Sequence, residues 1–200
     1  MTFDELIAHV KSEGCRIRIY KNRDYVEGSA GTFTVTEAGP IIVMATRRDT
    51  IKKKTATLLH EYGHYLQWLD GFLPAIEAVC QTYDIHWEWI HGRCELTDNE
   101  WKAARNSMLW IEWDAEVRGY IAGTELGVKF DKKSYLKGAL GYMMSIKWSW
   151  ENRNDWRMSI QPTHITLKNP RFLNQKKLFA PLTSSEKRLC STHIKRVKRR

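Results

Sequence analysis

Proline and glycine are scarce, five and twelve in 200 residues, and follow no fixed period. That excludes a collagen-like chain and a long low-complexity linker. No run approaches the roughly 18 apolar residues of a spanning helix. The opening MTFDELIAHVK carries Asp4 and Glu5 where a secretory signal is basic. The chain is therefore expected in the cytoplasm. Cysteine occurs only at 15, 80, 94 and 190, without a CxxC pair. In a reducing compartment these read as free thiols. Neither a heptad nor an internal repeat persists.

What remains is a chain 42% apolar and 28% charged, long enough to bury a core without disulfides. Its net charge of +9 is unevenly placed. Residues 168–200 carry eleven Lys or Arg against the single acid Glu186, while residues 1–167 sum to −1. The reading is a near-neutral domain over 1–160 and a basic C-terminal extension over 161–200. Within that extension Lys187, Arg188, Lys195, Arg196, Lys198, Arg199 and Arg200 are candidate contacts to nucleic acid or an acidic partner. No helix-turn-helix, zinc-knuckle or RRM signature makes nucleic-acid reading the main role.

The coarse pattern is strands followed by helices, an α+β arrangement. Thr2 to Glu5 forms a capping box for a first helix that Gly14 ends. Alternation predicts strands at 16–20, 32–36 and 41–44, joined by turns into a small antiparallel sheet. Asp49 or Thr50 caps a helix from Ile51 to Asp70. A second apolar helix is expected over Phe72–Tyr83, with irregular chain over 84–96. The box Thr97–Glu100 opens a long helix to about Glu125, and another spans Lys132–Asn152.

The strongest chemical signal is His60-Glu61-Tyr62-Gly63-His64. Histidines four apart share one helix face, so both imidazoles reach one ion. Zinc suits them, because it takes nitrogen ligands in a tetrahedral set. Glu61, one residue on, stands beside the ion, where it can take a proton from a water. The apolar flanks bury this helix, and buried charge needs a partner.

A catalytic zinc takes three protein ligands and keeps a fourth position open. The downstream Glu112-Trp113-Asp114-Ala115-Glu116 supplies two glutamates on one helix face, with Asp114 roughly opposite. Glu112 is assigned as third ligand. Glu116 is assigned as the hydrogen-bond acceptor that fixes a ligand histidine's tautomer. The competing account makes both glutamates solvated helix formers paired with Lys102, Arg105 or Arg118. A second metal site at Cys80, His86, His91 and Cys94 fits no structural zinc spacing. The nine tryptophans read as core or cleft lining before they read as base-stacking platforms.

HExxH followed some 50 residues later by E-x-[DE]-A-[DE] resembles the gluzincin group of zinc metallopeptidases. The strand 41–44, then Thr57 and the His60–His64 segment, is most similar to the ImmA/IrrE-type peptidases, over roughly residues 40–125. Two residues depart from that pattern: Tyr62 stands where Leu or Ile is usual, and Glu116 where Asp or Asn is favoured. The resemblance implies a zincin-like fold, one Zn2+ per chain, and a peptide-bond hydrolase. It also implies an edge strand, 41–46, that could pair with an extended substrate. Relatives of this type cut DNA-binding repressors, so a DNA-binding or regulatory protein is the implied substrate class. Tyr120, Tyr142 and His164 are candidate donors to the developing oxyanion. The alternative, from another class, is a nucleic-acid- or partner-binding protein with a non-catalytic zincin-like site and a basic tail.

Overall fold

The computed structural model describes residues 1–26, 29–47, 49–71, 73–153, 179–180, 183–184 and 186–187, without the side chains of 73–80 and 83. In chain order the elements are α1 (Phe3–Ser12), β1 (Arg16–Tyr20), β2 (Gly31–Thr36), β3 (Gly39–Ala45), α2 (Ile51–Leu69), α3 (Leu73–Ile90), α4 (Asp98–Glu125) and α5 (Lys132–Asn152). The class is α+β, as the order of patterns predicts. The chain falls into two compact units, residues 1–72 with 114–135, and 73–113 with 136–200. Helix α4 is continuous through the division at Trp113 and Asp114. The boundary expected near 160 lies outside the described residues. No described helix is long and apolar enough to cross a membrane.

The first unit starts with the capping box: Thr2 Oγ1 accepts from the Glu5 amide, and the Glu5 carboxylate accepts from the Thr2 amide at 2.6 Å. The sheet that follows has the order β1-β3-β2. β2 and β3 form an antiparallel hairpin, with Gly39 at φ +96° in the turn. β1 pairs with β3 in parallel, Ile17 opposite Ile42 and Ile19 opposite Met44. Two expectations are thereby corrected. The sheet is mixed, not antiparallel, and the strand at 41–46 is its centre, not its edge. The cause is the ten-residue link from β1 to β2, too long for a tight hairpin; it carries β2 past the place that β3 then fills.

Alternation along the strands turns Ile17, Ile19, Phe33, Ile42 and Met44 to one face, against Leu58, Leu59, Tyr62 and Tyr65 of α2 and Leu6 and Val10 of α1. Each fully buried side chain of this size contributes about 1.5–3 kcal/mol. Tyr62 also ties α2 to the end of α1: its hydroxyl donates to Glu13 Oε2 at 2.6 Å, and burial with that carboxylate raises its pKa. The three lysines opening α2 oppose the helix dipole. Two acids offset them, Asp49 at 2.6 Å from Lys53 and Asp131 at 4.0 Å from Lys52.

The tightest packing in the unit is between α2 and α4. A Cβ on Gly63 would lie 2.0 Å from the Ala115 carbonyl oxygen, and one on Gly119 2.2 Å from that of Leu59. Ala115, Gly119 and Gly123, four residues apart, give α4 a smooth strip; the α2 backbone meets it at Ala115 and Gly119, and the Leu59 side chain at Gly123. Neither backbone contact can relax by a side-chain rotation, because the obstructing atoms are main chain.

The second unit is built on aromatic packing. Trp150, 1% exposed, stacks on Trp89 at 5.4 Å between centroids, meets Trp101 edge-on at 6.1 Å, and donates its indole N–H to Met108 Sδ at 3.4 Å. The buried His86 shares a 2.9 Å hydrogen bond with Ser149. Trp150 is therefore core, and Trp89 and Trp101 pack on it half-buried. Helix α3 runs to Ile90, so the irregular stretch expected from residue 84 is a correction. Its β-branched and aromatic residues have weak helix propensity, and the burial of His86 beside Trp150 overrides it. Burial pushes the Lys147 ammonium down to about 8, and the neighbouring Arg105 guanidinium adds to the shift.

Two outcomes follow. Gly63→Ala should lower stability by at least about 2 kcal/mol, whereas Gly138→Ala, with open space around it in α5, should raise it by about 0.5–1 kcal/mol; denaturant titrations of both would read the contrast. Lys147 has its folded pKa below its unfolded one, so its penalty is present at neutral pH and fades as pH rises from about 8 through the ordinary lysine value. Lys147→Met should therefore raise Tm at pH 7, and its advantage over wild type should shrink by pH 10.

Candidate metal centre

The contact between α2 and α4 decides what faces what. His60 and His64 stand one turn apart, their rings edge-to-face with centroids 4.8 Å apart. Opposite them, Glu116 sits one residue after Ala115, the contact point for Gly63. Glu112 stands one turn earlier on the same unbroken helix. The ligand atoms of His60, His64 and Glu112 all lie within 4.8 Å of one another, and theirs is the one such group of His, Cys, Asp and Glu among the described residues. These three could hold a metal ion.

Both imidazoles are oriented from behind. His60 Nδ1 lies 3.2 Å from Glu116 Oε1. The carboxylate attracts a hydrogen onto Nδ1 electrostatically, although the pair lacks hydrogen-bond geometry, and that tautomer leaves the Nε2 lone pair free. His64 Nδ1 lies 2.8 Å from Gln67 Oε1, and Gln67 is 1% exposed. Its amide cannot be turned round: Gln67 Nε2 donates to Asp114 Oδ2 at 2.9 Å, and Asp114 has nothing to donate back. The amide oxygen must face His64, which again leaves Nε2 free. Arg118 Nε donates to the same Asp114 oxygen at 2.6 Å, and Arg118 also pairs with Asp70. Burial would depress the Arg118 guanidinium, but the hydrogen bonds to Asp70 and Asp114 outweigh it and hold its pKa above the usual value. A relay thus runs from His64 through Gln67, Asp114 and Arg118 to Asp70, all within the first unit.

Glu61 is 5% exposed and lies against the first residue of β2. A Cβ on Gly31 would come within 2.8 Å of Glu61 Oε1 and 2.7 Å of Thr57 Cγ2, so only glycine leaves the carboxylate its place. Under Glu116, the buried Tyr135 donates its hydroxyl to the Glu116 carbonyl oxygen at 3.3 Å. Its pKa is raised well above normal by burial, then by Glu116 and Glu61, so it stays protonated. The donor set, two imidazole nitrogens and a carboxylate, fits a divalent cation that leaves one position open. The carboxylates of Glu61, Glu112 and Glu116 are all buried here, and gathering like charge away from water is costly unless a cation balances it.

The other expected site residues are distributed differently. Tyr120 packs its ring on Phe130 and Tyr135 at about 6 Å, inside the first unit's aromatic cluster. Tyr142 is half-buried on α5 of the second unit, and His164 lies outside the described residues. Lys187 pairs with Glu151 at 3.1 Å; Arg188, Lys195, Arg196, Lys198, Arg199 and Arg200 lie outside the described residues. Of the dismissed second metal group, His86 bonds Ser149 and His91 bonds the Trp87 carbonyl. Arg118, one of the cations offered as a partner for the two glutamates, pairs with Asp114 and Asp70. Gln67, Gly31 and Tyr135 escaped the sequence reading, and helical spacing gives Asp114 no role beyond facing away from Glu112 and Glu116. Only Gln67 left a signal there, three residues after His64 and so on the same face.

Comparison with known protein families, curated proteins and solved structures finds no match for this chain.

Replacing Gln67 by Leu removes the acceptor from His64 at nearly constant volume. The expected outcome is divalent-metal binding weakened about 10–100-fold, with the circular dichroism spectrum unchanged, as measured by competition against a chromophoric chelator.

Proposed function

We propose that this chain is a zinc-dependent endopeptidase of gluzincin type, with His60, His64 and Glu112 as metal ligands and Glu61 as general base. The observation that carries the reading is the convergence of those three ligand atoms beside a buried Glu61. A structural zinc site has no use for such a base and closes with a fourth protein ligand.

A zinc ion held there supplies Lewis acidity to a water and to the scissile carbonyl. The chain's own residues do the rest. Gln67 accepts from His64 Nδ1, and the Glu116 carboxylate beside His60 Nδ1 favours a hydrogen there, which leaves the Nε2 lone pairs free for an ion. Glu61 takes the water's proton on a carboxylate oxygen and returns it to the leaving amine. Gly31 and Thr57 hold that carboxylate on one side. β2 runs beside Glu61 and, among the described residues, pairs only with β3; it offers the edge along which an extended peptide could add as a strand. The substrate is a protein or peptide, and the family resemblance favours a DNA-binding or regulatory one.

The test compares wild type with Glu61→Gln and Glu112→Ala in zinc content and in cleavage of a denatured protein. Wild type and E61Q should each bind about one zinc, E112A far less. Cleavage should occur in wild type and fall at least about 10²-fold in E61Q. An E61Q protein as active as wild type, or a wild type that takes up no zinc, would refute the proposal. Zinc uptake with no cleavage of any denatured substrate would favour the non-catalytic alternative.

A further inference from the structure

The sheet of the first unit has a second face. Alternation that sends Ile17, Ile19, Phe33, Ile42 and Met44 into the core sends Arg16, Arg18 and Tyr20 of β1 the other way, together with Thr32, Thr34 and Thr36 of β2. Arg16, Arg18, Thr34 and Thr36 are exposed. Between these strands stand Ile41 and Val43 of β3, Ile41 flanked by Arg16 and Thr34, Val43 by Arg18 and Thr32. The arginine stems shield this apolar centre while the guanidinium heads reach water. Arg16 Nη2 spans to Thr36 Oγ1 at 2.7 Å and to the Gly39 carbonyl at 3.2 Å. The exposed Arg23, in the loop after β1, lies over the Tyr20 ring at 4.5 Å.

The charge of this face has one sign. No acid stands at any strand position on it. Asp24, beside it in the loop, is paired with Arg47 at 3.7 Å. Among the described residues Arg18 makes no ion pair. Arginines next to a row of hydroxyls are the usual donors to phosphate oxygens. Arg23 over Tyr20, with Tyr25 two residues on and 62% exposed, adds flat surfaces suited to unpaired bases.

We infer that this outer face of the β1-β3-β2 sheet binds single-stranded nucleic acid through its phosphates, with Arg16, Arg18 and Arg23 as the charged contacts. The surface is distinct from the basic C-terminal extension. It lies on the side of the sheet away from α2, and so away from His60 and His64. The two activities are separable by mutation.

The experiment measures fluorescence anisotropy of a labelled single-stranded 20-mer with the full chain, from 50 to 300 mM salt. Arg18→Gln with Arg23→Gln is compared with Lys102→Gln with Lys133→Gln, which removes the same charge from exposed helical positions. Arg16 is left intact because it also holds the hairpin turn. Removing two phosphate contacts should flatten the plot of log affinity against log salt by about 1.4 and weaken binding about tenfold at low salt, with the lysine pair nearly unchanged. Equal behaviour of the two variants would overturn the inference. So would tighter binding of a duplex of the same sequence, or displacement of the oligonucleotide by poly-glutamate at equal charge concentration. Zinc content of R18Q/R23Q, expected at the wild-type level, keeps this outcome separate from that of the peptidase test.

Discussion

The first unit depends on a main-chain contact. Gly63 and Gly119 have no side chain because the carbonyls of Ala115 and Leu59 occupy the space where one would begin. Helices normally lie 8–10 Å apart, their side chains acting as spacers. With the spacers removed, short side chains reach across. A glutamate on α4 meets a histidine on α2 at 3.2 Å, and the glutamate one turn earlier comes to the same point. The glycine inside the histidine motif is therefore a distance setting, and the chemistry of the flanking residues depends on it.

Orientation is a separate matter from distance. Two imidazoles near each other present four nitrogens, and a metal needs one from each. Gln67 makes the choice for the His64 ring, and the Glu116 carboxylate stands beside Nδ1 of the His60 ring. Gln67 is effective because it is itself constrained. An amide can turn over and present either end, but Asp114 accepts only, and Arg118 fixes Asp114. Fixing each group by the next costs little at the surface and much less than an unpaired amide in the interior.

Much of this was legible in the sequence, and the reason is local. Capping boxes at Thr2 and Thr97, the glycine stops, and the alternation at 16–20 fix elements within a few residues, and α5 runs over the span expected. The HExxH spacing is also local, since both histidines ride one helix. Glu112 and Glu116 were legible because they sit at helical spacing in a second apolar helix. Strand order was not, because it depends on where a ten-residue link travels. The helical character of residues 84–90 was hidden because His86 is held by Ser149, 63 positions away. Asp114 was set aside as facing the wrong way. Its function arises only when Gln67 comes to meet it from another helix.

The central position of β3 has a consequence for how the protein can change. Paired on both sides, that strand is a wall, and its side chains alternate between the core face and the outer face, where Ile41 and Ala45 are themselves buried. Met44 answers to the packed interior, and its neighbour Val43 answers to the water side. Single-nucleotide drift along β1 or β2 therefore alternates between positions where almost nothing is tolerated and positions where charge can be gained or lost freely. A scaffold of this kind lets one side acquire new surface habits while the other keeps its chemistry, without insertion of a loop or duplication of a domain.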